Sequence, residues 1–220
     1  MSINIAIDGP AGAGKSTIAK MVAKQLGYIY VDTGAMYRAM ALYIMKQNIK
    51  PEEAEKISDK CKEADISIEY RDGAQIVILN GEDVTGMLRT EEVGNMASVT
   101  SVNPDVRAKL VDLQRVLASK QNVVMDGRDI GTVVLPNASV KIYLTASSKV
   151  RAERRYLELK AKGEEADINK IEADIIERDN RDMNRDISPL RQAEDAVLID
   201  SSDMTIDEVV KAMIELVERS

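Results

Sequence analysis

Directly after a short apolar run at residues 3–8 comes the stretch Gly9-Pro10-Ala11-Gly12-Ala13-Gly14-Lys15-Ser16-Thr17. It matches the pattern GxxxxGK followed by serine or threonine. Glycines let the backbone fold around phosphate oxygens, and a helix that begins here points its N-terminus at them. Lys15 would bring positive charge to the β and γ phosphates, and the Ser16 hydroxyl would ligate Mg²⁺. The stretch therefore predicts a strand, a loop that binds a nucleoside triphosphate, and a helix.

Further β-branched runs recur along the chain, with segments of helical periodicity between them. Together with the first run they lie at residues 3–8, 28–32, 122–126, 140–145 and 196–200. Near-continuous apolar strands that alternate with helices predict an α/β fold with a five-stranded parallel sheet flanked by helices. Four of the runs end in aspartate, at Asp8, Asp32, Asp126 and Asp200. Because ligands bind beyond the carboxyl ends of such strands, we expect some of these aspartates near the chemistry.

Residues 66–84 do not follow this alternation of apolar strands and helices. Apolar residues alternate there, and Asp72-Gly73 and Asn80-Gly81 have the composition of tight hairpin turns. The segment predicts an insert with a small antiparallel sheet. Near the end of the chain, Thr205 and Glu208 have the spacing of a capping box ahead of an apolar stripe, which predicts a final structural helix.

Composition narrows the class of protein. The 220 residues predict one main domain with a smaller insertion. A net charge of −7 argues against a general nucleic-acid binder. No apolar run is long enough to span a bilayer, and the first residues do not have the pattern of a signal peptide. With a single cysteine, Cys61, which is expected to be a buried small side chain, we expect a cytoplasmic protein.

The helix predicted at residues 168–186 has one face on which apolar side chains give way to charged ones along the helix. It begins as Ile171 and Ile175 and continues at the same spacing as Arg178, Asp182 and Arg185, with Arg181 alongside. Such a stripe normally stays apolar, so its charged end is expected to line a polar cleft. The alternative is a solvated face with ion pairs four residues apart, and the charge pattern leaves both open.

Other arginines follow the predicted strands. Arg38 comes after the second strand, Arg128 and Asp129 follow the third, and Arg107 lies in a helical region. A further cluster consists of Arg151, Arg154 and Arg155. The planar guanidinium suits bidentate binding of phosphate, so these residues are candidates for a second anion site.

The sequence contains no histidine, which removes the usual general base near neutral pH. A phosphate acceptor is already an anion and needs no base, so phosphoryl transfer to it requires mainly alignment and charge neutralisation. Asp129 could still act as the base for a hydroxyl acceptor. The missing histidine therefore favours a phosphate acceptor without excluding the other.

Several segments in combination resemble the bacterial-type cytidylate kinases, a family of nucleoside monophosphate kinases. The resemblance covers nearly the whole chain. It rests on residues 9–17, 32–38, 126–134, 141–147 and 177–182, with Arg185 and Pro189-Leu190. The phosphate loop alone would not separate this family from adenylate, shikimate or gluconate kinases.

The resemblance implies a single P-loop kinase domain over residues 1–220 with three parts. The core would comprise residues 1–33, 91–148 and 186–220, the acceptor-binding insert residues 34–90, and a short helical lid residues 149–170. It also implies ATP as phosphoryl donor, Mg²⁺ as cofactor with Ser16 as its ligand, and CMP or dCMP as acceptor. Asp32 and Asp126 are candidate outer-shell partners of the Mg²⁺ ion.

The resemblance further implies roles for individual residues. ATP would be bound by Gly9, Pro10, Ala11, Gly12, Ala13, Gly14, Lys15, Ser16 and Thr17 and by the lid arginines Arg154 and Arg155. The acceptor phosphate would be held by Arg38, Arg128 and Arg185, in a pocket shaped by Thr33 and Tyr37. The base would be read by Ser98, Arg107 and Asp129. Arg178 and Asp182 would face the sugar and phosphates, and the catalytic group would be Lys15, Arg128, Arg178, Asp182 and Arg185.

Asp129 would also explain a preference among pyrimidines. Cytosine offers an amino donor where uracil has a carbonyl oxygen, so a buried carboxylate rejects uracil. We therefore expect CMP and dCMP to be preferred over UMP, and we expect a monomer without nucleic-acid or membrane partners. Two alternatives remain: another P-loop small-molecule kinase, with UMP, AMP or a hydroxyl acceptor, or a nucleotide-dependent binding protein without transfer activity.

Overall fold

The computed structural model describes residues 2–219. Internal contacts divide them into two units. The first unit holds the residues up to Tyr30 and those from Gln121 onward, and the second unit is Val31–Lys120. The predicted insert at residues 34–90 falls within the second unit, while the exact bounds of core, insert and lid stay a prediction.

The elements alternate between strand and helix over most of the chain. In order they are β1 (Asn4–Asp8), α1 (Lys15–Leu26), β2 (Ile29–Asp32), α2 (Thr33–Lys46), α3 (Ala54–Cys61), β3 (Ile66–Arg71), β4 (Ala74–Leu79), β5 (Glu82–Asp83), α4 (Glu91–Thr100), α5 (Pro104–Lys120), β6 (Val123–Gly127), β7 (Val140–Thr145), α6 (Ser148–Ala161), α7 (Ile168–Asn184), β8 (Val197–Asp200) and α8 (Ile206–Glu218). A 3₁₀ turn at Thr85–Met87 and a π turn at Ile130–Val134 complete the description.

The main sheet has five strands in the order β2-β6-β1-β7-β8. The pairs of β1 with β6, β1 with β7, and β7 with β8 are all parallel. Each strand lies within one residue of its predicted position, which confirms the predicted fold class. At the carboxyl edge, Asp8 is in register with Gly127 on one side and Tyr143 on the other. This register brings the residues that follow β1 and β6 together.

The core of the first unit explains the apolar runs. Ile5, Ala6 and Ile7 of β1 are completely buried because helices cover both faces of the sheet. Ile18 and Val22 of α1 belong to the same cluster, as do Val209 and Met213 of α8. The capping box of α8 is present, with Thr205 accepting from the Glu208 N–H and Glu208 accepting from Thr205.

The second unit contains the small sheet, in which β3, β4 and β5 pair antiparallel. Both predicted turns have two central residues with positive φ, at Asp72 and Gly73 and at Asn80 and Gly81. This is the conformation for which Asn-Gly and Asp-Gly pairs are selected. The prediction of an antiparallel insert at residues 66–84 is confirmed.

Helices α6 and α7 pack against each other in the first unit. Helix α7 was predicted at residues 168–186 and ends two residues earlier, at Asn184. Between residues 2 and 219, none of the helices has the length and hydropathy needed to cross a bilayer.

Candidate active site

The phosphate loop joins β1 to α1 and depends on glycine at two points. Gly9 has φ of 149°, and a Cβ there would lie 1.9 Å from the Leu144 carbonyl oxygen, so no other residue fits. Gly14 precedes α1 with φ of 84°, and no side chain caps the helix. The first backbone N–H groups of α1 therefore have no side-chain cap, which suits the anion site that the sequence predicts at this position.

Lys15 is buried beneath this loop. Its ammonium donates to the carbonyl oxygens of Gly9 and Pro10, at 2.7 Å each. Burial lowers the pKa of Lys15 well below its usual value, and the charge of Arg128 lowers it further, while Asp126, Asp8 and Asp182 oppose the shift. A phosphate beside this ammonium would compensate for the water that burial removes.

Ser16 belongs to a short chain of hydrogen bonds centred on Asp126. The Ser16 hydroxyl donates to Asp126 Oδ2 at 2.9 Å, and the Tyr30 hydroxyl donates to Asp126 Oδ1 at 2.8 Å. Within residues 2–219, no group of three or more acidic, histidine or cysteine side chains forms a metal cluster. The arrangement fits Mg²⁺, which keeps several waters and takes few protein ligands when it is bound with substrate phosphates.

Asp182 of α7 is paired with one arginine and lies within the electrostatic influence of two more. Arg128 Nε donates to Asp182 Oδ2 at 2.8 Å, and both side chains are largely buried. Burial by itself would raise the pKa of Asp182, but the charge of Arg128 and its hydrogen bond, with the charges of Arg178 and Arg185, hold that pKa below its ordinary value. Arg128 therefore binds Asp182 directly, the charges of Arg178 and Arg185 also act on this carboxylate, and Arg128 and Asp182 both act on Lys15.

Arg185 lies just beyond the end of α7. Its Nε donates to the Ser188 carbonyl oxygen at 2.6 Å, and its Nη2 lies 3.9 Å from Asp129 Oδ1. Both side chains are almost completely buried, at 8% and 6% exposure. By contrast, Arg181 is exposed and pairs weakly with Glu177. The charged stripe thus faces inward, and only Arg181 belongs to a solvated face.

The three arginines predicted to belong to a lid have three different environments. Arg151 is buried, donates to the carbonyl oxygens of Ala146 and Ala11 at 2.9 Å each, and pairs with Asp179 at 2.7 Å. Arg154 donates to the Ser201 carbonyl oxygen at 2.7 Å, while Arg155 is half-exposed and pairs with Glu158. The guanidinium of Arg151 thus contacts the phosphate loop at the Ala11 carbonyl oxygen.

In the second unit, the predicted acceptor residues begin α2. Asp32 caps this helix by accepting from the Ala35 N–H at 2.9 Å, and Arg89 pairs with its other oxygen at 3.1 Å. A Cβ on Gly34 would lie 3.1 Å from Arg38 Nη1, so the Arg38 guanidinium lies close against the first turn. Thr33 is buried, and Tyr37 and Arg38 are half-buried.

The same unit contains the two other predicted base contacts. Arg107 of α5 is buried, donates to the Ser101 carbonyl oxygen at 3.3 Å, and has its guanidinium carbon 5.7 Å from the centre of the Tyr37 ring. Ser98 is half-buried in α4. The second unit thus joins Tyr37 and Arg107, which are 70 positions apart in the chain.

Sequence reasoning missed three contacts that support these residues. Asp8 accepts from the N–H groups of Ile130 and Gly131, and Asp179 pairs with Arg151. In the second unit, the Gln75 amide of β4 exchanges two hydrogen bonds with the backbone of Asp32. Asp8 was marked only by its position at a strand end, while nothing in the pattern around Asp179 or Gln75 indicated a partner.

A strand, a glycine loop and a helix, with a buried lysine and a serine bound to aspartate, define the P-loop class of nucleotide-binding folds. Solved structures of this fold include a gluconokinase from Sinorhizobium meliloti 1021 and a shikimate kinase from Bacteroides thetaiotaomicron. Each is similar to the chain with a TM-score of 0.51 and 14% identity. They cover 99% and 98% of the chain, and the chain covers 92% and 98% of them.

Sequence comparison identifies the family. The profile described as "Cytidylate kinase" matches residues 5–219. A cytidylate kinase of Caldicellulosiruptor saccharolyticus is 54% identical, covering 97% of the chain and 95% of that protein. One of Carboxydothermus hydrogenoformans is 48% identical, covering 99% and 98%. The chain belongs to the cytidylate kinase family, and the resemblance found in its motifs is confirmed.

Proposed function

We propose that the protein transfers the γ-phosphoryl group of ATP to CMP or dCMP, giving ADP and CDP or dCDP. Membership of the cytidylate kinase family supports this reaction. The observation that carries it is the largely buried pair of Arg128 and Asp182, at 2.8 Å, which also feels the charges of Arg178 and Arg185 and acts on Lys15. A dense cationic group beside a triphosphate loop suits a second phosphate.

The reaction itself requires alignment and charge neutralisation. Lys15 would leave the carbonyl oxygens of Gly9 and Pro10 and bind the β and γ phosphates, assisted by the N-terminus of α1. Arg128, Arg178 and Arg185 would neutralise the acceptor phosphate and the charge that develops in transfer. Asp182 would hold Arg128 in place. The acceptor oxygen is already anionic, so no general base is involved.

Ser16 would hold a Mg²⁺ ion, and Asp126 would hold its water, since these two side chains are already bonded to each other. When bound there, the ion would supply positive charge that helps to neutralise the phosphates. Asp32 is the weaker candidate for the outer shell because its oxygens already cap α2 and pair with Arg89.

The cytosine base would be read by Asp129, Ser98 and Arg107. The Asp129 carboxylate would accept from the cytosine amino group, and the guanidinium of Arg107 would donate to its ring nitrogen or carbonyl. Thr33, Tyr37 and Arg38 would contact the nucleotide at the start of α2, with Arg38 on the phosphate. Arg154 and Arg155 would contact ATP. A cytoplasmic monomer remains part of the proposal, on grounds of composition alone.

The base-reading role is tested by replacing Asp129. Asp129→Ala should lower the ratio of kcat/KM for CMP to that for UMP by at least about tenfold, because the carboxylate no longer rejects uracil. Asp129→Asn should lower it further, since its amide can donate to the uracil carbonyl. ADP release in the presence of Mg²⁺ measures both rates.

Lys15→Ala serves as the matched control. It should depress turnover with both nucleotides and leave their ratio close to that of the parent, because Lys15 acts on the donor phosphates. Equal CMP and UMP rates in the parent, or an unchanged ratio in both Asp129 variants, would remove Asp129 from base recognition.

A further inference from the structure

Asp8 is a buried carboxylate to which the proposed reaction gives no role. It ends β1, is 4% exposed and immediately precedes the phosphate loop. Its Oδ1 accepts from the Ile130 N–H at 2.8 Å and its Oδ2 from the Gly131 N–H at 2.7 Å. Both oxygens therefore bind the backbone that directly follows Asp129.

Asp8 holds the segment of Arg128 and Asp129 from both sides. N-terminal to this segment, Asp8 is the register partner of Gly127, the last residue of β6. On the side after it, the Asp8 carboxylate binds Ile130 and Gly131. Only two residues separate these attachments, so one residue fixes the backbone from which both side chains project.

The surroundings of Gly131 allow little movement. A Cβ on Gly131 would lie 3.4 Å from Asp8 Oδ2 and 3.2 Å from Lys141 Cδ. The Lys141 ammonium is itself fixed by Asp195 at 2.7 Å and by the Pro136 carbonyl oxygen. The π turn at Ile130–Val134 is thus held between a carboxylate and an anchored lysine stem.

A carboxylate is the side chain that suits this place. Two neighbouring N–H donors require two acceptor oxygens on one short side chain. Asparagine has the same shape but offers a single oxygen, and its amide would direct a donor at an N–H donor. Leaving a buried N–H unpaired costs about 1–3 kcal/mol, which is enough to displace the turn.

We propose that Asp8 is a positioning residue for base recognition: its carboxylate fixes the backbone on which Arg128 and Asp129 stand, and so sets the preference for cytosine over uracil. This inference rests on the proposed function, in which Asp129 reads the base. Asp8 is assigned no catalytic role, because both of its carboxylate oxygens already accept from backbone N–H groups. Its two hydrogen bonds go to residues 130 and 131 and not to the phosphate loop that it precedes.

The test is Asp8→Asn in the full chain, with kcat and KM determined for CMP, UMP and ATP. The ratio of kcat/KM for CMP to that for UMP should fall about tenfold or more, through a higher KM for CMP. The KM for ATP should change less than about threefold. Glu215→Gln is the control, because this half-exposed carboxylate of α8 pairs with Arg219 and supports neither the π turn nor Lys141, so the ratio should stay unchanged.

Gly131→Ala provides a second variant should Asp8→Asn fail to fold. Its Cβ would lie 3.2 Å from Lys141 Cδ, closer than ordinary packing, so the turn should shift against the lysine stem and the same ratio should fall. An unchanged ratio in a folded Asp8→Asn, or in Gly131→Ala when the former does not fold, overturns the inference. A higher KM for ATP with an unchanged ratio also overturns it, and assigns Asp8 to the phosphate loop.

Failure of this inference is distinguishable from failure of the proposed function. Asp129→Ala measured in parallel reports on base reading itself. If Asp129→Ala lowers the ratio and the Asp8 variant does not, only the role of Asp8 is wrong. If neither lowers it, base reading by Asp129 is wrong and the role of Asp8 falls with it.

Discussion

Burial and charge act in opposite directions on the ionisable side chains of the first unit. Asp182 is largely buried, yet its pKa is held down by the charge and hydrogen bond of Arg128 and by the charges of Arg178 and Arg185. Burial raises the pKa of Asp8 to about 6 in spite of the two N–H groups that it accepts from and the charge of Lys15. The folded protein therefore stabilises the ionised form of Asp182, whereas ionisation of Asp8 costs folding free energy.

That cost predicts a pH dependence of stability. The pKa of Asp8 is about 6 in the folded protein, against an ordinary value of 3.8. Its contribution to stability is therefore complete below about pH 4 and is lost as the pH rises through about 6. The loss amounts to ~3 kcal/mol by pH 7.

The Asp8→Asn variant has no ionisable side chain at this position, so comparing it with the parent isolates the contribution of Asp8 to the pH dependence of stability. Relative to the parent, its free energy of unfolding should improve by ~3 kcal/mol between about pH 4 and pH 7. Urea denaturation of both proteins across this range measures the difference. A difference that stays constant with pH would contradict the raised pKa.

At the scale of residues, the sequence predicts most of the proposed site but not its supports. The glycine loop and the Ser16 hydroxyl follow from a motif whose spacing is fixed by phosphate geometry. Asp179 and Gln75 were missed because their partners, Arg151 and the backbone of Asp32, are distant in sequence. Only the folded chain brings such pairs together.

At the scale of elements, helices α6 and α7 are joined to the phosphate loop through one buried ion pair. Arg151 Nη2 lies 2.7 Å from Asp179 Oδ2, with the two side chains 6% and 11% exposed. The same guanidinium donates to the Ala11 carbonyl oxygen. An uncompensated buried charge is costly, so this pair should matter far more than those at the surface.

Asp179→Asn should therefore lower the free energy of unfolding by about 3 kcal/mol, because it leaves Arg151 buried without an anion. Glu158→Gln is the matched control in the same helix pair. Glu158 is half-exposed and bonds Arg155 and Lys162, so its replacement should cost less than about 1 kcal/mol. Equal losses in the two variants, measured by urea denaturation, would show that burial of the Arg151 pair carries no extra stability.

The elements themselves were predictable because each has a local signal. The central strands β1 and β6 are largely apolar since both faces of the sheet are covered there, and the hairpin turns need residues that tolerate positive φ. The C-terminal end of α7 was predicted two residues too late. Arg185 continues its charged stripe but is extended, with φ of −67° and ψ of 142°. Periodicity could not reveal that Arg185 faces Asp129 from outside the helix.

At the scale of the whole molecule, the two units carry complementary sets of polar side chains. The first unit contains the phosphate loop, the Ser16–Asp126 pair and the arginines around Asp182. The second contains Arg38, Tyr37 and Arg107, which are proposed to contact CMP. Motifs predicted the membership of these sets, but the division of the chain at Tyr30 and Gln121 depends on contacts that no local pattern records.

In the proposed reaction, the γ-phosphoryl group of ATP bound by the glycine loop is transferred to the phosphate of CMP. Incubation with Mg²⁺ and ATP labelled at its γ-phosphate, with CMP, UMP, AMP, shikimate or gluconate as separate acceptors, tests it most directly. We expect label to appear fastest in CDP and the hydroxyl acceptors to stay unlabelled. Label found only in inorganic phosphate, or transferred to shikimate or gluconate in preference to CMP, would contradict it.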